Sequence, residues 1–191
     1  MTIIAEYIWL DNNKNLRSKA RTINISSDDW SQTIIDFKNI PKWTYDGSST
    51  EQATGHDSEI TLIPRAVFED PFRGGQNKLV VCDTYDSMGN PTESNTRHLA
   101  NKIFNNPQCK EEEPWFGLEQ EYFLMNTETH KPLGWPKNGV PEAQGKYYCG
   151  VGQGKVFGRD IVDRHYEYCL KQVFGFHFQI NLLRPKSTGS V

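Results

Sequence analysis

The sequence predicts an α+β chain, with strands first and then helices alternating with strands. Three observations carry this. Residues 6–10 and 16–25 are strand-like and flank Asp11-Asn12-Asn13-Lys14-Asn15, a run of turn formers, so the chain opens as a hairpin. Residues 78–82 form a compact apolar run after the loop Asp70-Pro71-Phe72-Arg73-Gly74-Gly75, the pattern of a buried strand. From Ser94 onward the apolar period changes to that of a helix.

Taken in order, residues 45–55 are turn-rich, and a short apolar piece at 60–63 precedes the buried strand, giving a small β-rich unit to about Asn90. Ser94 is placed to cap a helix whose Leu99, Ala100, Ile103 and Phe104 share one face, with Asn105-Asn106-Pro107 ending it. Residues 115–125 are aromatic-rich and alternating, which predicts a strand, and the Gly- and Pro-rich stretch 131–154 predicts a long loop layer. Asp160 is placed to cap a second helix carrying Val162, Tyr166, Cys169 or Leu170, and Val173 on one side. Residues 174–182 alternate again, as in a half-buried strand.

The 191 residues are 36% hydrophobic and 24% charged, enough apolar content for a packed core. A formal net charge of -3 gives no global attraction to phosphate backbones, so no nucleic-acid partner is expected. No apolar run approaches the roughly 20 residues of a membrane span, and the first residues lack the basic flank of a signal peptide, so no membrane partner and a cytoplasmic location are expected. Cys82, Cys109, Cys149 and Cys169 are scattered, as free thiols are.

The most informative piece is Gly117-Leu118-Glu119-Gln120-Glu121-Tyr122. Residues two apart in a strand point to the same side, which sets Glu119 beside Glu121. A hard divalent cation relieves the repulsion between two such carboxylates, but a solvent-facing strand edge is the commoner explanation of the spacing. Tyr45-Asp46-Gly47-Ser48-Ser49-Thr50 is a turn signature in which an exposed Asp beside hydroxyls can hold a cation or accept a proton, although most such turns only reverse the chain. Gly150-Val151-Gly152-Gln153-Gly154-Lys155 fails both phosphate-loop templates, since Cys149 occupies the first Walker glycine position and Lys155 the third dinucleotide glycine. His56, His98, His130, His165 and His177 show no paired metal-ligand spacing.

Several of these stretches, with others, occur together in a known order. Trp43-Thr44-Tyr45-Asp46-Gly47-Ser48-Ser49-Thr50, Asp70-Pro71-Phe72-Arg73, Pro114-Trp115-Phe116-Gly117-Leu118-Glu119-Gln120-Glu121-Tyr122, Gly134-Trp135-Pro136 and Tyr147-Tyr148-Cys149-Gly150-Val151-Gly152 resemble eukaryotic-type glutamine synthetase, over roughly residues 4–170. The resemblance implies an N-terminal β-grasp domain at residues 4–90, the beginning of a glutamine-synthetase-type α/β catalytic domain at 97–181, and a divergent tail at 182–191. It implies ATP-dependent ligation of ammonia to glutamate through a γ-glutamyl phosphate, with Mg or Mn as cofactor and ATP as co-substrate.

By the same resemblance Glu119 ligands the metal that bridges the ATP phosphates and Glu121 the metal nearer glutamate. Asp46 matches the aspartate that reaches across a subunit interface to deprotonate ammonium, and Ser49 and Tyr148 match residues lining that pocket. A homo-oligomer follows, because the site is shared between neighbours. Lys146 departs from the proline usual before the tyrosine pair, and the tail lacks the Asn-x-Glu and Gln-Trp-Glu carboxylates of the second metal site. The expectation is a glutamine synthetase truncated within its catalytic domain and inactive alone. The alternative is a noncatalytic assembly partner of full-length glutamine synthetase subunits.

Overall fold

The structure, a computed structural model, describes residues 1–25, 37–117 and 121–172. The chain divides into two compact units, the first spanning Met1–Trp115 and the second beginning at Phe116. The architecture is α+β.

The first unit is built on a mixed five-stranded sheet of β1 (Thr2–Leu10), β2 (Leu16–Asn24), β3 (Trp43–Asp46), β4 (Glu59–Glu69) and β5 (Lys78–Tyr85), in the order β2-β1-β5-β4-β3. The hairpin stands as the sequence predicts, with β1 antiparallel to β2 from Thr2↔Asn24 to Leu10↔Leu16. Its turn is held by Asp11, a buried carboxylate that accepts the Asn15 amide at 2.8 Å and the Arg17 Nε at 2.8 Å. β1 pairs in parallel with β5, and β4 pairs antiparallel with both β5 and β3.

Alternation along β1 puts Ile3, Ala5, Tyr7 and Trp9 on the buried face. Ala5, Tyr7 and Trp9 meet Leu62 of β4, Val80 and Cys82 of β5, and Ile40. The aromatic contacts continue toward the edge strand. Trp9 lies 4.5 Å from Tyr45 and Tyr7 packs edge-on against Trp43 at 5.3 Å, while the Tyr7 hydroxyl donates to the Pro41 carbonyl at 2.7 Å. The core thus runs under the segment that delivers Asp46.

β4 extends well beyond the apolar piece at 60–63 because its remaining length pairs with β5, with a register shift between Pro64 and Ala66 where proline has no N–H to give the ladder. Arg65, which interrupts the apolar pattern, is drawn in by the buried Asp83, its Nε 2.8 Å from Oδ2, and its Nη2 donates to the Tyr85 hydroxyl at 2.8 Å.

Helix α1 (Thr96–Phe104) is capped by Asn95, whose Oδ1 accepts the His98 amide at 3.1 Å, not by Ser94 as expected; the Ser94 hydroxyl is used elsewhere, accepting from Gln52. Leu99, Ile103 and Phe104 share a face as predicted but are exposed among the described residues. Pro107 does not simply end the helix. It sits in the first turn of a short helix α2 (Pro107–Glu112) capped by Asn106, where a missing N–H costs nothing.

The strand expected at 115–125 is not formed by its described residues, 115–117 and 121–124; Met125 makes one isolated antiparallel bridge, with Pro132. Among the described residues no other strand pairs with it. The chain instead closes locally, Leu133 N donating to Leu124 O at 2.7 Å and Asn126 N to Lys131 O at 2.8 Å. Helix α3 (Arg159–Gln172) begins one residue before Asp160, which therefore lies in its first turn. Gly158 turns the chain into it with φ 68°, at a point where a Cβ would meet Leu124 Cδ1 at 2.5 Å. The strand expected at 174–182 lies outside the described residues.

Candidate functional site

β3 ends on Asp46, and Gly47–Thr50 continues as a single 3-10 turn. The Asp46 side chain is exposed at the head of this turn, where its Oδ1 accepts both the Ser48 amide at 2.9 Å and the Ser48 hydroxyl at 2.7 Å. The Ser48 hydroxyl, then the Ser48 amide, then the Ser58 side chain hold its carboxyl below the usual carboxylate range. Asp46 is therefore anionic at neutral pH.

The turn is rigid for identifiable reasons. Gly47 N donates to Ser58 O at 2.6 Å, and Gly47 O accepts from Gln52 N at 2.9 Å and Ala53 N at 3.3 Å. A Cβ at Gly47 would fall 2.4 Å from Ile60 Cγ1, so glycine is what lets the turn lie against the core. Glu51 closes it in the left-handed region at φ 59°. The tip of the β1–β2 hairpin docks on its far side, Asn12 N donating to Thr50 O at 3.3 Å and Asn13 Nδ2 to Glu51 Oε2 at 3.1 Å. Ser49 lies exposed in the middle of the turn, so the structure brings Asp46 and Ser49 together on one loop.

Glu121 and Tyr148 belong to the second unit, on separate segments, and both are exposed; Glu119 lies outside the described residues. Beside Glu121, the Tyr122 ring stands edge-on to His165 of α3 at 5.2 Å, its hydroxyl 3.4 Å from His165 Nδ1, and His165 Nε2 is 3.4 Å from Cys169 Sγ. Tyr148 follows the 3-10 turn Gln144–Lys146, its amide donating to Gln144 O at 3.1 Å. Tyr147 beneath it is buried and donates its hydroxyl to Glu142 Oε2 at 2.7 Å. Lys146 pairs with the same carboxylate, which holds its ammonium above the usual lysine range.

An octahedral Mg²⁺ takes six oxygens, several of them waters. Among the described residues no three His, Cys, Asp or Glu side chains gather around one point, so these residues by themselves do not fit such an ion, and Glu121 offers it a single carboxylate. Sequence reasoning missed Gln52, Glu51 and Asn13, which support the Asp46 turn. The only local signal was the position of Gln52, two residues beyond Thr50.

No protein-family model matches the chain. Curated proteins do. The chain is 56% identical over 169 residues to the glutamine synthetase nodule isozyme of Lupinus luteus, 88% of this chain and 46% of the relative. It is 54% identical over 169 residues to glutamine synthetase cytosolic isozyme 1-1 of Oryza sativa subsp. japonica, again covering 88% of this chain and 46% of the relative. To the chloroplastic leaf isozyme of Hordeum vulgare it is 54% identical over the same length, 37% of that protein. The chain thus spans less than half the length of these relatives. No helix of the described residues is long and apolar enough to cross a membrane. Over the matched stretch, the chain belongs to the glutamine synthetase family.

Proposed function

We propose that this chain carries the ammonium-binding turn and part of the metal-binding segment of a glutamine synthetase, which ligates ammonia to glutamate with ATP through a γ-glutamyl phosphate. In this reading residues 4–90 are a β-grasp domain, 97–181 part of the catalytic domain and 182–191 a divergent tail. The observation that carries it is the 56% identity over 169 residues to a glutamine synthetase. The Asp46 turn agrees with it. A carboxylate held anionic on a rigid, exposed turn attracts ammonium. The same low basicity makes it a reluctant proton acceptor, so ammonium gives its proton to Asp46 as the N–H bonding pair becomes the lone pair that attacks the acyl carbon, and the C–O bond breaks to release phosphate. Ser49 and Tyr148 are the further residues proposed to orient the cation.

With further ligands from elsewhere in the enzyme, Glu119 and Glu121 would each contribute a carboxylate to Mg or Mn ions, which would supply positive charge to offset that on the phosphoryl group in transfer. The relatives' remaining length supplies groups these 191 residues do not include, so glutamine formation is not expected from them alone. Glutamate, ammonia and ATP are the small-molecule partners, other glutamine synthetase subunits the protein partners, and the cytoplasm the location, as for the cytosolic isozymes.

The second reading, a noncatalytic assembly partner, is favoured by one observation: the residues bearing Asp46 fold into a compact unit, Met1–Trp115, with its own core. One experiment tests both. A full-length relative whose aspartate of the Tyr-Asp-Gly-Ser-Ser motif is changed to asparagine is co-expressed with this chain. Restored ammonia-dependent glutamine formation, lost again with Asp46→Asn in this chain, supports the ammonium role. Co-purification without restored activity leaves only the assembly role, and failure to co-purify removes that as well.

A further inference from the structure

We infer that Gln52 is the positioning residue of Asp46, a single amide that clamps both ends of the Asp46 turn to the rest of the first unit. Its functional meaning rests on the ammonium role of Asp46 proposed above.

The orientation of the amide is fixed by chemistry. Gln52 faces the Leu10 carbonyl at 3.1 Å, and a carbonyl only accepts, so the group there must be Nε2. The second Nε2 hydrogen goes to Ser94 Oγ at 3.0 Å. Oε1 then points the other way, where the Tyr45 hydroxyl donates to it and Thr50 Oγ1 lies at 2.9 Å. Thr50 has one hydroxyl hydrogen, shared between Gln52 Oε1 and Gly47 O at 3.1 Å.

These partners are not scattered. Tyr45 immediately precedes Asp46, and Thr50 ends the turn that Asp46 begins. Leu10 is the last residue of β1 and Ser94 lies just before the cap of α1, so both belong to other elements than the turn. The backbone of Gln52 adds a third hold, its N–H on Gly47 O at 2.9 Å. Burial keeps the Tyr45 hydroxyl protonated and hence a donor. A side chain whose two hydrogens and two acceptor positions are all used, half toward the framework and half toward the turn, sets where the Asp46 carboxylate stands relative to Ser48.

The test uses the 191-residue chain and reads Asp46 directly, by NMR titration of its carboxyl carbon together with amide hydrogen exchange. Gln52→Met keeps the length of the side chain and removes all of its side-chain hydrogen bonds. The expected result is roughly ten-fold faster exchange at the Ser48 and Asn12 amides, with unchanged protection at Tyr7 and Val80 in the core. The Asp46 midpoint should also rise toward the ordinary carboxylate value. An unchanged midpoint, or an equal loss of protection at Tyr7 and Val80, overturns the inference. Should Gln52→Met fail to fold, Tyr45→Phe removes one arm of the clamp and leaves Gln52 in place, and the same two outcomes decide. Because the midpoint is read without ammonium, failure of the ammonium role shows only in the co-expression assay and failure of the clamp only here.

Discussion

Asp46 and Ser48 are joined twice, the amide and the hydroxyl of Ser48 both donating to one carboxylate oxygen of Asp46, at 2.9 and 2.7 Å. The hydroxyl is the larger cause of the low Asp46 pKa. Ser48→Ala removes it and leaves the amide, so the Asp46 midpoint should rise while staying below the ordinary value. The sign of the linkage follows. A depressed carboxylate contributes stability that is present above its unfolded pKa and lost as pH falls through its folded one, so the variant loses part of that contribution at neutral pH and shows a weaker acid dependence. A carboxyl-carbon titration from about pH 2 to 6 checks this; coincident curves for the two proteins would sink it.

The turn leans on the core through a missing methyl group. Gly47→Ala puts a Cβ 2.4 Å from Ile60 Cγ1 and 3.1 Å from Ala53 Cβ, and Ile60 is fully buried. Overpacking of this kind costs about 1–3 kcal/mol. Gly55 is the control, since a Cβ there meets nothing within 4 Å, and Gly55→Ala should stay within about 0.5 kcal/mol of the parent. Urea midpoints of the three proteins measure the difference, and equal midpoints for the two variants would contradict the packing argument.

The two stretches that sequence reasoning read best are those whose determinants are local. The β1–β2 hairpin stands because Ile3, Ala5, Tyr7 and Trp9 alternate and Asp11 closes its own turn with Asn15 and Arg17. Asp46 and Ser49 were placed together because both belong to one six-residue motif. β4 was underestimated because Pro64 and Arg65 break its apolar pattern, and what sustains it is pairing with β5 and the Asp83 carboxylate, 18 residues away. Gln52 escaped notice for the same reason: its amide is satisfied by Leu10 and Ser94, each 42 residues distant. The strand at 115–125 is read from aromatic content and alternation, and these describe a face without providing the neighbour that makes a ladder. Glu119, the other half of the acidic pair, lies outside the described residues, so the pairing with Glu121 remains a reading of the sequence.

Acid should loosen the first unit through Asp70. Burial pushes its carboxyl up, but the Arg73 side chain and the Arg73 and Phe72 amides outweigh that and hold it below the usual range, with Arg73 Nη1 at 2.6 Å and the two amides at 3.1 and 2.9 Å. Glu6 shares the same guanidinium and is lowered too, by the Ser18 hydroxyl, against burial, and then by Arg73. Stability from both is present above their unfolded values near pH 4 and is lost as pH falls through the folded ones. Asp70→Asn should therefore melt lower than the parent at pH 7, and the gap should close as pH falls below about 4. A gap that stays constant between those two pH values would show that the Asp70 charge is not what the loop uses.

Thiol reactivity should rank three of the four cysteines, Cys82, Cys149 and Cys169, by environment. Burial pushes the Cys82 thiol up to about 12, and it sits in the core beside Val80 and Leu62. Cys169 is partly buried and its thiol is also raised by burial, in spite of the His165 ring nitrogen 3.4 Å away. Cys149 is exposed, at φ 50° between Tyr148 and Gly150. Only the thiolate is the nucleophile, so iodoacetamide at pH 7.5, a condition chosen to lie about a unit below the ordinary thiol pKa, should label Cys149 first, Cys169 more slowly and Cys82 only on unfolding. Mass spectrometry of the labelled peptides gives the three rates. If Cys169 outpaced Cys149, the neighbouring imidazole would be activating the thiol, and burial would not be the term that governs it.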